Sequence, residues 1–179
     1  MSEIKNKNTN DWEKQLFELL QKHSIKFLPF VPDAGHAGLI ALSENSSFVR
    51  PVVLTTEEEG IAFSCGAWLG GQKGVVLMQS SGLGNCINSL ASISIACSFP
   101  LLMIITMRGE WNEFNPWQVP MGSSTEKVLA ALNIITARCN NEYEVAETVN
   151  AMLGLVYKSN CVTAVLLSQR LIGAKSFME

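Results

Sequence analysis

Short runs of uninterrupted apolar residues recur along the chain, at Gly74–Gln79, Leu101–Thr106 and Val162–Leu167, each set off from the next by a segment of helical character. A strand with one wet face alternates apolar and polar residues. A continuous run requires cover on both faces, which is the signature of a parallel sheet between two helical layers. The other segments fit that frame. Asp11 to His23 places Trp12, Leu16, Leu19 and Leu20 at helical spacing, with Asn10 or Asp11 positioned to cap. Lys26–Val31 reads as a strand ended by Pro32, Gly35–Ser43 as a helix, Glu44–Arg50 as a polar loop and Pro51–Thr55 as a strand. Glu57–Leu69 is a helix built largely of small residues. After the Gly74–Gln79 strand come a glycine turn, a helix from Gly84 to Cys97, the Leu101–Thr106 strand and a loop from Arg108 to Met121. Thr125–Leu132, Ile134–Ala137, Asn141–Tyr157 and Val162–Leu167 supply a helix–strand–helix–strand ending. The expected fold is α/β: a doubly wound, mainly parallel sheet of about six strands with helices on both faces, forming one domain over residues 10–179 behind a flexible stretch, 1–9.

Composition narrows the function. Of 179 residues, 47% are hydrophobic and 16% charged, which excludes a disordered chain and suits one that buries a large partner surface. A net charge of −3 leaves no basic field for nucleic acid. The polar start, Met1 to Asn10, does not read as a signal peptide, and no apolar run is long enough to span a bilayer. Cysteines at 65, 86, 97, 139 and 161 are odd in number and include no CxxC pair, which points to free thiols in a reducing cytoplasm.

Ligands of such sheets bind outside the carboxyl ends of the strands. Four loops lie there: Pro32 to His36, Thr56-Glu57, Gln79 to Asn85, and Thr106 to Met121. The acids Glu57, Glu58 and Glu59 open a helix, where negative charge is favourable in itself; an acid at this edge could equally hydrogen-bond a ligand nitrogen. Ser80-Ser81-Gly82-Leu83-Gly84-Asn85 is either a tight turn or a point of close ligand approach. It is not a dinucleotide fingerprint, because Ile87 stands where a third glycine belongs, and the chain has no Gly-Lys-Ser/Thr. Asp33 and His36 stand on the first loop; His36 is a packing residue or a polar group facing substrate. Arg108 is either a planar fork for an anion or the partner of Glu110 or Glu113 in its own loop. The same loop carries Trp111, Phe114 and Trp117, as a lid, an interface or a segment folded on its own domain.

Taken together and in order, these residues resemble the pyrimidine-binding domain of thiamine-diphosphate enzymes. The resemblance runs over roughly residues 10 to 170, through Thr56-Glu57-Glu58-Glu59-Gly60, Gly66-Ala67-Trp68-Leu69-Gly70-Gly71, Val75 to Asn85 and Phe99-Pro100-Leu101-Leu102. Met78 to Asn85, with Gln118-Val119-Pro120-Met121-Gly122, is similar to the sulfopyruvate/phosphonopyruvate decarboxylase branch. The family's acid stands nine residues before the first glycine of the small-residue helix, which counts back from Gly66 to Glu57. By resemblance, Glu57 is the catalytic acid that hydrogen-bonds the cofactor's aminopyrimidine, as a buried carboxyl. Glu57, Gln79, Ser80, Ser81, Gly82, Leu83 and Asn85 line the cofactor, and Asp33, His36, Arg108 and Gln118 face substrate. The implied cofactors are thiamine diphosphate and a Mg²⁺ held by a partner chain, since the family's Gly-Asp-Gly element is absent here. The implied partner is therefore a diphosphate-binding (beta) subunit in a hetero-oligomer. The implied reaction is decarboxylation of 3-sulfopyruvate to sulfoacetaldehyde. Phosphonopyruvate is the rival substrate, and a non-catalytic ligand-binding module is the alternative outside enzymology.

Overall fold

The computed structural model describes residues 11–173, so the flexible stretch expected at 1–9 and the cap expected of Asn10 lie outside the described residues. The helices are α1 (Asp11–Lys22), α2 (Ala37–Glu44), α3 (Glu57–Leu69), α4 (Leu83–Ser89), α5 (Val119–Ala131), α6 (Glu142–Ser159) and α7 (Gln169–Ile172). The strands are β1 (Ile25–Phe30), β2 (Arg50–Val53), β3 (Lys73–Gln79), β4 (Leu101–Thr106), β5 (Ile135–Cys139) and β6 (Val162–Leu167). They form one six-stranded sheet in the order β2-β1-β3-β4-β6-β5, with every neighbouring pair parallel. The expected doubly wound α/β fold is the one observed.

The apolar runs divide between the two faces. On β3, Val75 and Leu77 face one way and Val76 and Met78 the other; on β4, Leu102 and Ile104 oppose Leu101, Met103 and Ile105. The first face is covered by α1, α2 and α6 through Trp12, Leu16, Leu20, Leu39, Val149 and Val156. The second is covered by α3, α4 and α5 through Ile61, Leu83, Cys86 and Leu129. Local signals fix the helix ends. In α6, Asn141 and Glu144 close a reciprocal capping box, and Asn160 ends the helix in the left-handed region at φ 49°.

Three segments depart from the sequence expectation. The loop read as Arg108–Met121 ends sooner: a single 3₁₀ turn, Pro116–Gln118, leads into α5 at Val119 rather than at Thr125. Pro120 signalled loop, yet in the first turn of a helix its missing N–H removes a donor that has no intrahelical partner anyway. The helix expected as one piece from Gly84 to Cys97 is α4 followed by a π-helical stretch, Leu90–Ile95, in which Ala96 N–H donates to the Ala91 carbonyl at 3.2 Å. The short α7 after β6 was not expected; Ser168 caps it, accepting from Leu171 N–H at 3.3 Å.

With layers on both sides, the centre of β4 is the most costly place to lose volume. Ile104→Ala removes three carbons from a fully buried site and should cost about 2–5 kcal/mol. Ile135→Ala, at the half-open start of edge strand β5, should cost under about 1 kcal/mol. Urea denaturation of the two variants checks this, and equal losses would contradict the layer assignment.

Candidate active site

The chain leaves β1 for α2 and β2 on one side and returns to β3 on the other, so β1 and β3 are neighbours whose connections diverge. A crevice opens at such a point, at the carboxyl ends of the strands. The residues singled out from the sequence gather along this edge in three groups.

The first group ties strand tips together. Asp33, after β1, accepts from Gln79 Nε2 at the end of β3 (3.1 Å to Oδ1) and from Thr106 Oγ1 at the end of β4 (2.6 Å to Oδ2). Ser81 Oγ donates to Gln79 Oε1 at 2.9 Å and so fixes which way the amide points. His36 lies beneath, fully buried, with Nε2 at 3.1 Å from the Ile104 carbonyl and 3.3 Å from that of Met78. Burial lowers its pKa, with the charge of Asp33 opposing, so the ring is neutral and donates from Nε2. His36 is thus engaged with the backbone of the two central strands.

The second group contains Glu57. It is the first residue of α3, so its carboxylate projects from the edge rather than into a layer. Asn85 Nδ2 donates to its Oε2 at 2.8 Å across 28 positions of sequence. The carboxylate lies on Gly82: a Cβ added there would sit 2.5 Å from Glu57 Cδ. Gly82 has φ −66° and ψ −25°, which any residue adopts, so it is the carboxylate and not the backbone that requires glycine. Glu57 is half-buried in this chain, where a buried carboxyl was expected. The three acids are separated by their contacts. Glu59 Oε2 accepts from Thr55 N–H at 2.8 Å and holds the start of α3, Glu58 is exposed, and Glu57 faces the turn. Within that turn Leu83 is fully buried in the core, so only its backbone can face a ligand. Ser80, also buried, accepts from Arg108 N–H at 3.2 Å.

The third group lies beyond β4. Of the two readings of Arg108, the arrangement is the ion pair within its own loop: Nε donates to Glu113 Oε2 at 2.8 Å and Nη2 to Oε1 at 2.5 Å, with both side chains buried. Gln118 closes the 3₁₀ turn, its N–H donating to the Asn115 carbonyl at 2.9 Å, and its own carbonyl abuts Gly109. Sequence reasoning missed Gln169, the fully buried first residue of α7, whose amide joins Glu113 to the backbone of the aromatic loop. It follows a strand and so belonged among the edge loops. It missed Thr106 as a partner of Asp33 as well.

No family model matches the chain. Curated proteins do. The sulfopyruvate decarboxylase subunit alpha of Methanocaldococcus jannaschii is 34% identical over 84% of this chain and 89% of its own length. The protein of the same name from Methanothermobacter thermautotrophicus is 31% identical over 88% of this chain and 95% of its own. A phosphonopyruvate decarboxylase of Streptomyces viridochromogenes is 42% identical, over 36% of this chain and 16% of its own length.

Because Gly82 makes room for a side chain alone, Gly82→Ala should change stability by less than about 1 kcal/mol, since a flexible carboxylate can swing away. It should nevertheless break the Glu57–Asn85 bond. A crystal structure and a thermal melt of the variant test both halves; an unmoved Glu57 would show that the glycine serves something else.

Proposed function

The chain belongs to the family of sulfopyruvate decarboxylase alpha subunits, and from that premise we propose that it is the pyrimidine-binding subunit of a thiamine-diphosphate-dependent 2-oxoacid decarboxylase, acting on 3-sulfopyruvate. The observation that carries the reading is Glu57: a carboxylate at the ligand edge of the sheet, seated on a glycine and oriented by Asn85. The residues fit the cofactor's aminopyrimidine. Asn85 occupies Oε2 and leaves Oε1 for a ring N–H, and the absence of a side chain at Gly82 lets the carboxylate lie against the turn.

Thiamine diphosphate, when bound, supplies an acidic thiazolium carbon and an electron sink for the pair released with carbon dioxide. The chain's own contribution is proton placement. Glu57 holds a proton between its carboxyl group and the pyrimidine N1′, and Asn85 keeps the carboxyl in one orientation. Asp33, Gln79, Ser81 and Thr106 fix the strand tips beside it. Since Arg108 is committed to Glu113 and His36 to two carbonyls, the second anion of the substrate falls to other donors in this reading.

The diphosphate and its Mg²⁺ are assigned to a partner subunit, because the chain lacks Gly-Asp-Gly and its relatives are themselves called alpha subunits. A second chain also suits the surface. Side by side, α3 and the helix after β3 expose Leu69, Ile87 and Ile95, with Leu69 at 73%, and Trp117 on the aromatic loop is 72% exposed. No described helix is long and apolar enough to cross a membrane, and the five cysteines are free, which supports placing the protein in the cytoplasm. The likeness to phosphonopyruvate decarboxylase supports phosphonopyruvate as a second substrate reading, to be separated by steady-state kinetics on both oxoacids.

Two outcomes test the proposal. In the assembled enzyme, Glu57→Gln should slow hydrogen–deuterium exchange at the cofactor's C2 by about 100-fold or more, with Glu58→Gln near wild type. Exchange in Glu57→Gln at the wild-type rate removes the assignment. Calorimetric titration of the isolated chain with thiamine diphosphate and Mg²⁺ should show weak binding that becomes tight when the partner subunit is added; tight magnesium-dependent binding by this chain alone contradicts the division of labour.

A further inference from the structure

The segment after β4 is tied down to an unusual degree for an aromatic-rich loop. Glu113, whose side chain is 4% exposed, accepts hydrogen bonds on both oxygens. Besides the two from Arg108, Gly109 N–H donates to Oε2 at 2.9 Å, Asn115 N–H to Oε1 at 2.9 Å, and Gln169 Nε2 to Oε2 at 2.8 Å. Gln169 turns its carbonyl the other way: Oε1 accepts from Glu110 N–H at 2.9 Å and Trp111 N–H at 3.0 Å. Four amides of residues 109–115 therefore end on two buried side chains. The donors, Arg108 foremost, hold the Glu113 carboxyl down at about 2, so the cluster stays charged throughout the neutral range.

A buried ion pair of this kind contributes little net stability compared with apolar packing, but removing either partner is costly, so its effect is to fix one arrangement. What it fixes adjoins the Glu57 turn. Arg108 N–H donates to Ser80 Oγ at the start of that turn, Gly122 packs on the Arg108 carbonyl, and Met121 reaches Gly84, the neighbour of Asn85.

We infer that Glu113 and Gln169 are positioning residues that lock residues 108–118 into a fixed wall beside the Glu57–Asn85 site, not a lid that opens over it. The immobility of the wall stands on the contacts alone; its effect on turnover rests on the decarboxylase reading. A lid would need its amides to lose and regain water with each cycle, whereas these are spent on side chains anchored in α7 and in the loop's own buried base.

Hydrogen exchange followed by mass spectrometry on the chain, wild type and Gln169→Leu, tests this. In the wild type, peptides covering 109–115 should exchange at least about 100-fold more slowly than an unstructured chain. In Gln169→Leu, which strands the Glu110 and Trp111 amides, protection in that segment should fall by about 10-fold or more, with β4 and β6 unchanged. In the assembled enzyme the variant should raise KM for the 2-oxoacid by about 10-fold, with C2 exchange at the wild-type rate, because the contacts of Glu57 are untouched. Wild-type exchange at the unstructured rate would make the segment a lid and overturn the inference. So would a variant in which exchange and KM do not change together. Should Gln169→Leu fail to fold, Gln169→Ser takes its place, and the wild-type measurement needs neither. A complex inactive on every 2-oxoacid would defeat the decarboxylase reading and leave the exchange result standing.

Discussion

One carboxylate holds the crevice in shape. Asp33 stands where the connections from β1 and β3 part company, and it binds the tips of β3 and β4 through Gln79 and Thr106. Parallel strands are bonded to each other only as far as the ladder runs; beyond it each chain departs for a different face. Ser80 and Arg108 already join the ends of β3 and β4, and Asp33 ties the loop after β1 to both. With that tie, the amide of Gln79 is oriented, Ser81 is oriented in turn, and the glycine turn starts from a fixed place. His36 is part of the same arrangement from below, a neutral donor to the carbonyls of Met78 and Ile104 in the two strands that Asp33 joins.

The carboxylates at this edge differ in how much of their hydrogen-bonding capacity the fold uses. Glu113 accepts five donors, Asp33 two, Glu59 one from the backbone that starts α3, and Glu57 one from an exposed asparagine. A carboxylate saturated with donors is structural: it cannot take a new partner without giving one up. Glu57 has an oxygen to spare and stands at an open edge, which is what a group that exchanges a proton with a ligand requires. The same count shows the fork of Arg108 filled by Glu113.

The fold was legible where the physics is local or doubly constrained. Leu101–Thr106 and Val162–Leu167 have the same bounds in sequence and structure, each strand being buried along its whole length, and the helix Glu57–Leu69 matches too, bounded by acids at its start and Gly70 after its end. It was illegible where a residue's usual meaning is reversed by its position. Pro120 signalled a loop, but it sits in a first helical turn. Nothing in the spacing of Leu90, Ser94 and their neighbours marked the π-helical turn. At this edge, Glu57, Asn85 and Asp33 were singled out because each lies in a segment that leaves the carboxyl end of a strand. Gln169 follows one too, but its partners lie 56 to 59 positions away in sequence, and no local pattern joins an amide in α7 to a loop after β4.

Two glycines at this edge are required for different physical reasons. Gly82 and Gly109 look alike in a list of loop residues. Gly109 has φ +73°, and a Cβ there would also strike the Gln118 carbonyl, so its reasons are backbone geometry and close packing. Gly82 lies in an ordinary helical conformation, and what displaces a side chain there is the carboxylate of Glu57. One glycine builds the loop, and the other leaves a space that the Glu57 side chain occupies. Gly82 is itself buried against that carboxylate, in the turn whose first residues Asp33, Gln79 and Ser81 hold in place. The hydrogen-bonded strand tips and the spare carboxylate oxygen of Glu57 are thus two parts of one arrangement at the carboxyl edge of the sheet.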